Sequence, residues 1–117
     1  MKSELEKFDR VLGACRDSYL KKGAQSLFWV SSEEERDEVR ARLQGIFGKE
    51  YPYAFIGNFP NGDMVAIAED GALVAVLHDC GEVCPSALTM DEFLEAVRED
   101  EELEDRFYLL EESDDDF

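Results

Sequence analysis

The chain is poor in the residues on which most metal and redox sites depend. It has one histidine, one tryptophan, three prolines and three cysteines in 117 residues. His78, Cys80 and Cys84 lie close together, but structural zinc sites normally use two separated ligand pairs, and no second pair exists here. Cys80 and Cys84 are also one residue too far apart for the C-x-x-C motif of redox enzymes. The sequence therefore predicts no metal site and no cofactor.

Signatures of catalysis are equally scarce. The pair His78-Asp79 occurs in metal-dependent phosphohydrolases, but those enzymes need several further histidines. A cysteine–histidine hydrolase would need an oriented imidazole and an oxyanion hole, for which the sequence offers no other sign. The glycines are spread through turns and are not grouped at a helix start, which excludes a phosphate-binding loop. We predict no catalytic residues and a protein that is not an enzyme.

Basic residues are few, and this shortage restricts the class of partner. The chain has 12 Lys and Arg against 29 Asp and Glu, a net charge of −17. Fourteen of the acidic residues and only two of the basic ones fall in residues 91–117. Such a charge repels nucleic-acid backbones and anionic membranes, so we expect neither as a ligand. A basic protein partner is favoured.

The sequence has no long apolar run and no apolar segment at its start of the kind found in secretory signals. We therefore expect a cytoplasmic protein whose cysteines are reduced thiols. The length suits one domain, which we place at residues 1–110, followed by an acidic tail at residues 111–117. An acidic tail of this kind is usually a solvated, mobile segment.

Apolar periodicity predicts three helices. Leu5, Phe8, Leu12, Cys15 and Tyr19 are spaced by three or four residues, which indicates a helix over residues 3–22. Residues 27–30 form a short apolar run, either an edge strand or a lead into the next helix. That second helix, which Gly45 or Gly48 should end, is expected to begin at Ser32 with Glu35 completing a capping box, and the third should begin at Thr89 with Glu92.

Two glycine turns predict a sheet of hairpins. Asn61-Gly62 separates the apolar runs 54–56 and 64–68, and Asp70-Gly71 joins the second run to residues 72–77. Residues alternate between two apolar faces along both later runs, so each face should be at least partly covered by helices. Residues 79–87 should form a loop. The predicted fold class is α+β: two N-terminal helices, a small antiparallel sheet of hairpins, and a C-terminal helix packed on it.

Residues 54–94 carry a resemblance to a known family. The order strand, Asn61-Gly62-Asp63, strand, glycine turn, strand and then the helix entry at residues 90–94 resembles the second half of the SUKH superfamily. The family's glycine and aspartate at the first hairpin correspond to Gly62 and Asp63. Its usual N-terminal helix entry with glycine and proline is not matched by residues 24–35. The resemblance implies an α+β binding module, most often a bacterial immunity protein that covers a toxin domain.

The same resemblance, taken with the charge, suggests where a partner binds. Toxins of these systems are frequently nucleases, whose substrate grooves are basic. An acidic surface would speed association and could occupy the groove meant for phosphates. The candidate contacts are Asp79 and Glu82 in the predicted loop, together with Asp100, Glu101 and Glu104 after the last helix. The alternative is a regulatory adaptor that binds a host protein constitutively, with the charge serving solubility.

Overall fold

In the part of the chain that the structure describes, six antiparallel strands form a meander in sequence order. The computed structural model describes residues 2–15, 18–22, 25–99, 103 and 107. The strands are β1 Ser18–Lys22, β2 Gln25–Val30, β3 Ala54–Asn58, β4 Met64–Ile67, β5 Leu73–Val76 and β6 Val83–Pro85. The antiparallel sheet and the flanking helices confirm the α+β class.

Capping interactions set where the second and third helices begin. The helices are α1 Lys2–Leu12, α2 Glu33–Phe47 and α3 Met90–Glu99. The Ser32 hydroxyl accepts a hydrogen bond from the Glu35 backbone N–H, and the Glu35 carboxylate accepts one from the Ser32 N–H. Thr89 and Glu92 form the same reciprocal pair ahead of α3. Both predicted capping boxes are therefore confirmed, because their partners lie three residues apart in the chain.

Each face of the sheet is covered by a different set of helices. Alternate residues of β4 point to opposite sides: Val65 and Ile67 enter one apolar layer, and Ala66 enters the other. The first layer also contains buried residues of α1 and α3, whereas the second contains Val39 and Leu43 of α2. The predicted alternation is confirmed. It follows from the two-residue period of a strand.

The first predicted helix is wrong in its second half. α1 ends at Leu12, a 3-10 turn follows at Gly13–Cys15, and Ser18–Lys22 forms β1. A β-hairpin therefore lies between the two N-terminal helices. The apolar run 27–30 belongs to β2, which pairs with β1 and with β3 and is not an edge strand.

The two glycine turns are confirmed, but one strand beyond them was missed. Gly62 and Gly71 have φ of +99° and +91°, the left-handed region that favours glycine. The predicted loop over residues 79–87 contains β6, which pairs with β5 along three residues. The predicted tail, residues 111–117, lies outside the described residues. In the described part of the chain, no helix is both long enough and apolar enough to cross a membrane.

The seam between β2 and β3 is the shortest strand pairing of the sheet. Only two register pairs join these strands, Trp29 with Asn58 and Val30 with Gly57. The register of β3 against β4 also shifts between Phe55 and Gly57. The Ser31 N–H, just after β2, donates to the Ile56 carbonyl at 3.0 Å and extends the seam by one bond.

Candidate binding site at one end of the sheet

The turn between β5 and β6, residues 77–82, carries two of the predicted contact residues. Asp79 and Glu82 are both exposed there. The Leu77 N–H donates to the Glu82 carbonyl at 2.9 Å, and the Gly81 N–H donates to the Leu77 carbonyl at 2.8 Å. These bonds close the turn and fix the backbone from which the two carboxylates project into solvent. The other predicted contacts, Asp100, Glu101 and Glu104, lie outside the described residues.

The segment from α2 to β3 holds this turn from one side. The Tyr51 hydroxyl is buried and donates to the Gly81 carbonyl at 2.7 Å. Burial raises the pKa of Tyr51, with a smaller contribution from Cys80, so the phenol stays a neutral donor at physiological pH. The Phe47 ring lies against Gly81, where an added Cβ would come within 2.4 Å of Cγ.

A histidine–aspartate pair holds the turn from the other side. Asp63, in the turn between β3 and β4, is 7% exposed. Its Oδ1 accepts a hydrogen bond from the His78 backbone N–H at 3.1 Å and lies 2.6 Å from His78 Nδ1. Asn61 Nδ2 lies 3.3 Å from Asp63 Oδ2, and the Asp63 N–H donates to Asn61 Oδ1 at 2.8 Å. One buried carboxylate therefore links two turns of the sheet.

Strand register explains why residues so far apart in sequence meet. Met64 pairs with Val76 at the end of the β4–β5 ladder. Extending that ladder places Gly62 opposite His78, and a Cβ at Gly62 would lie 3.3 Å from His78 Cγ. Asp63 and His78 were not predicted as site residues. The Asp70-Gly71 turn is the sequence signal that could have found them, because counting outward in the observed register places Asp63 opposite Leu77, directly beside His78.

The imidazole is polarised by this environment. The hydrogen bond to Asp63 raises the pKa of His78; partial burial opposes the change, while the charges of Asp63 and Asp79 support it. The His78 side chain is 52% exposed. Asp63 therefore orients an imidazole whose other face meets solvent, in the same turn as the exposed Asp79 and Glu82.

A cleft lies at the opposite end of the sheet, between α1, the β4–β5 turn and the start of α3. Its walls carry three carboxylates, Glu4, Asp70 and Asp91, and the ammonium of Lys7. Lys7 Nζ lies 3.4 Å from Asp91 Oδ1 and links α1 to α3. Asp91 is largely exposed and Lys7 is about half-exposed, so this ion pair contributes little to stability.

The three cysteines differ in burial and form no disulfide with one another. Cys80 is exposed, Cys84 is buried in β6 and Cys15 is partly buried, and all three are free thiols. Among the described residues, no group of three or more His, Cys, Asp or Glu side chains could hold a metal ion.

Comparison with known proteins leaves the site to be interpreted from its own chemistry. No family model, curated protein or solved structure matches the chain. The features that bear on function are therefore the exposed carboxylates, the two supports of their turn, and the charge of the whole chain.

Proposed function

We propose that this protein is a SUKH-like immunity protein that binds and neutralises a basic, nuclease-type toxin domain in the bacterial cytoplasm. The observation that carries the proposal is the β5–β6 turn. It presents Asp79 and Glu82 to solvent while Tyr51 and Asp63 hold it from two sides. Its carboxylates would take the place of substrate phosphates in the toxin's groove and so exclude the substrate.

The hydrogen-bonded backbone of this turn favours binding. A turn already fixed by hydrogen bonds loses little conformational entropy when a partner docks. Charge complementarity mainly increases the association rate and selects against wrong partners. The net charge of −17 would steer a basic domain toward the chain from beyond contact distance.

The position of the family-like segments supports the same assignment. Gly62 and Asp63 lie in the β3–β4 turn, and residues 90–94 form the start of α3 on the apolar layer that also contains α1. Asp63 supports the proposed binding turn directly through His78. A residue that the resemblance singles out is thus part of the proposed site.

Co-expression tests the proposal. The protein would be produced with each toxin domain encoded beside its own gene, and survival and co-purification would be scored. We expect protection from one toxin and a complex whose association is fast at low salt, on the order of 10⁸ M⁻¹s⁻¹, and slower as salt screens the charges. Survival unchanged with every neighbouring toxin, and no co-purifying toxin, would favour the constitutive adaptor.

Charge-reversal variants locate the contact. Asp79→Lys with Glu82→Lys should slow association and weaken protection. The matched control is Glu6→Lys with Glu38→Lys, which makes the same change in net charge at exposed helix positions. Equal loss in the two double variants would mean that net charge matters and the turn does not. A third variant, with Asp100, Glu101 and Glu104 changed to Lys, tests the remaining predicted contacts.

A further inference from the structure

We propose that Asp63 and His78 form a pH-responsive clamp on the β5–β6 turn. The clamp holds the turn most firmly while His78 is protonated and loosens it as the imidazole loses its proton. Because Asp79 and Glu82 lie in that turn, their placement for a basic partner should loosen together with it. This last consequence rests on the proposed function, whereas the clamp itself does not.

The geometry makes His78 the link between two turns. Asp63 is nearly buried, and a single oxygen, Oδ1, meets both the backbone and the ring of His78. The side chain of Asn61 also meets this carboxylate and orients it. A buried carboxylate is best satisfied by charge-assisted hydrogen bonds, which are roughly twice as strong as neutral ones. Protonated His78 supplies such a bond at Nδ1.

Among the charged and titratable groups around the imidazole, Asp63 and Asp79 favour its protonated form. Asp63 approaches from the β3–β4 turn, and Asp79, Cys80 and Glu82 belong to the histidine's own turn. Tyr51 reaches the turn from the α2 side as a neutral phenol. The pKa of His78 is raised. The clamp is therefore fully formed below the unfolded-state pKa of histidine and weakens as the pH rises through the higher folded-state pKa.

Deprotonation weakens the clamp without breaking it. Neutral imidazole can keep its proton on Nδ1 and still donate to Asp63, so the loss is that of the charge and not of the whole hydrogen bond. The backbone bond from His78 to Asp63 also remains. We therefore expect a graded change in the local opening of residues 77–82 and no change of fold.

Amide hydrogen exchange on the isolated protein tests the clamp without any partner. Protection factors, corrected for the intrinsic pH dependence of exchange, would be compared at about pH 6 and about pH 8. We expect protection in residues 77–82 to fall several-fold at the higher pH, while amides of the β4–β5 turn, at the other end of the sheet, stay constant. Protection independent of pH in residues 77–82 would overturn the proposal.

Three variants identify the titrating group. His78→Asn keeps a neutral donor near the position of Nδ1 and should abolish the pH dependence, whereas Cys80→Ser should preserve it. Asp63→Asn keeps the shape of the carboxylate and should give low protection at both pH values. Dependence that survives His78→Asn, or that disappears in Cys80→Ser, would contradict the assignment. A toxin-binding failure would leave all these measurements unaffected, so the two proposals fail separately.

Discussion

Replacement of Gly57 by alanine should be among the most damaging single-methyl additions in this chain. An ideal Cβ at Gly57 would lie 2.0 Å from the backbone oxygen of Trp29 and 2.5 Å from ring carbons of Phe28. Phe28 is fully buried and packs edge-on against Phe59 and Phe93, so its ring has little room to move. Relief therefore requires the backbones of β2 and β3 to separate where only two register pairs join them.

The expected loss follows from this lack of relief. Overpacking a well-packed core usually costs about 1–3 kcal/mol. Because the nearest atom to the new methyl group is a backbone oxygen, which cannot move aside as a side chain can, we expect Gly57→Ala to lie at the top of this range. The free energy of unfolding should fall by about 3 kcal/mol. For a domain of this length, an unfolding entropy of about 0.25 kcal/mol per degree converts that loss to a fall in Tm of roughly 12 °C.

Gly45→Ala is the matched control, since it makes the same chemical change where nothing lies within 4 Å of the new Cβ. Gly45 lies inside α2, where alanine is preferred to glycine by about 1 kcal/mol, so Tm should rise by roughly 4 °C. Urea unfolding followed by circular dichroism measures both variants against the parent. A Gly57→Ala protein within about 1 kcal/mol of the parent would refute the close packing of β2 on β3.

Three further predictions concern the caps, the turns and the histidine. Ser32→Ala and Thr89→Ala should each lower the free energy of unfolding by about 1 kcal/mol in urea titrations, and no loss in either would mean that its capping box is not formed. Gly62→Val and Gly71→Val should each cost roughly 1 kcal/mol or more because valine is strained at positive φ, and unchanged thermal melts would contradict the turns. The parent should lose stability relative to His78→Asn as pH rises from about 6 to about 8, because a raised histidine pKa stabilises the fold only while the ring is protonated. Parallel stability–pH curves for the two proteins would exclude that linkage.

Features that depend on near neighbours in the chain were predictable from sequence. Ser32 and Thr89 cap helices through residues three positions away, and Gly62 and Gly71 supply the φ that their turns require. The alternation along β4 and β5 likewise follows from strand geometry alone. In each of these interactions the partners lie within a few residues of one another in the chain, so no knowledge of tertiary structure was needed.

Features that depend on residues far away in the chain could not be predicted from sequence. Cys15 and Tyr19 continue the helical spacing begun by Leu5 and Phe8, but β1 pairs with β2 instead, and tertiary pairing overrides a weak helical preference. β6 contains only three residues and ends at Pro85, which left no periodic signal. Of the candidate contacts, Asp79 and Glu82 are exposed in the β5–β6 turn, whereas the support of that turn by Asp63 depends on strand register.

The strictly sequential order of the strands has a consequence for how the chain folds. β3, β4 and β5 are joined by short turns, so their contacts form at a small cost in loop-closure entropy. Pairing of β2 with β3 must instead close a loop of residues 31–53, which include α2. This pairing forms only two register pairs, so it gains little in exchange for the loop-closure entropy. We expect the β3–β5 unit to form early and the N-terminal hairpin to join it late. The Asp63–His78 link joins the β3–β4 turn to a residue two positions after β5, so this support of the proposed binding turn would be in place before the sheet is complete.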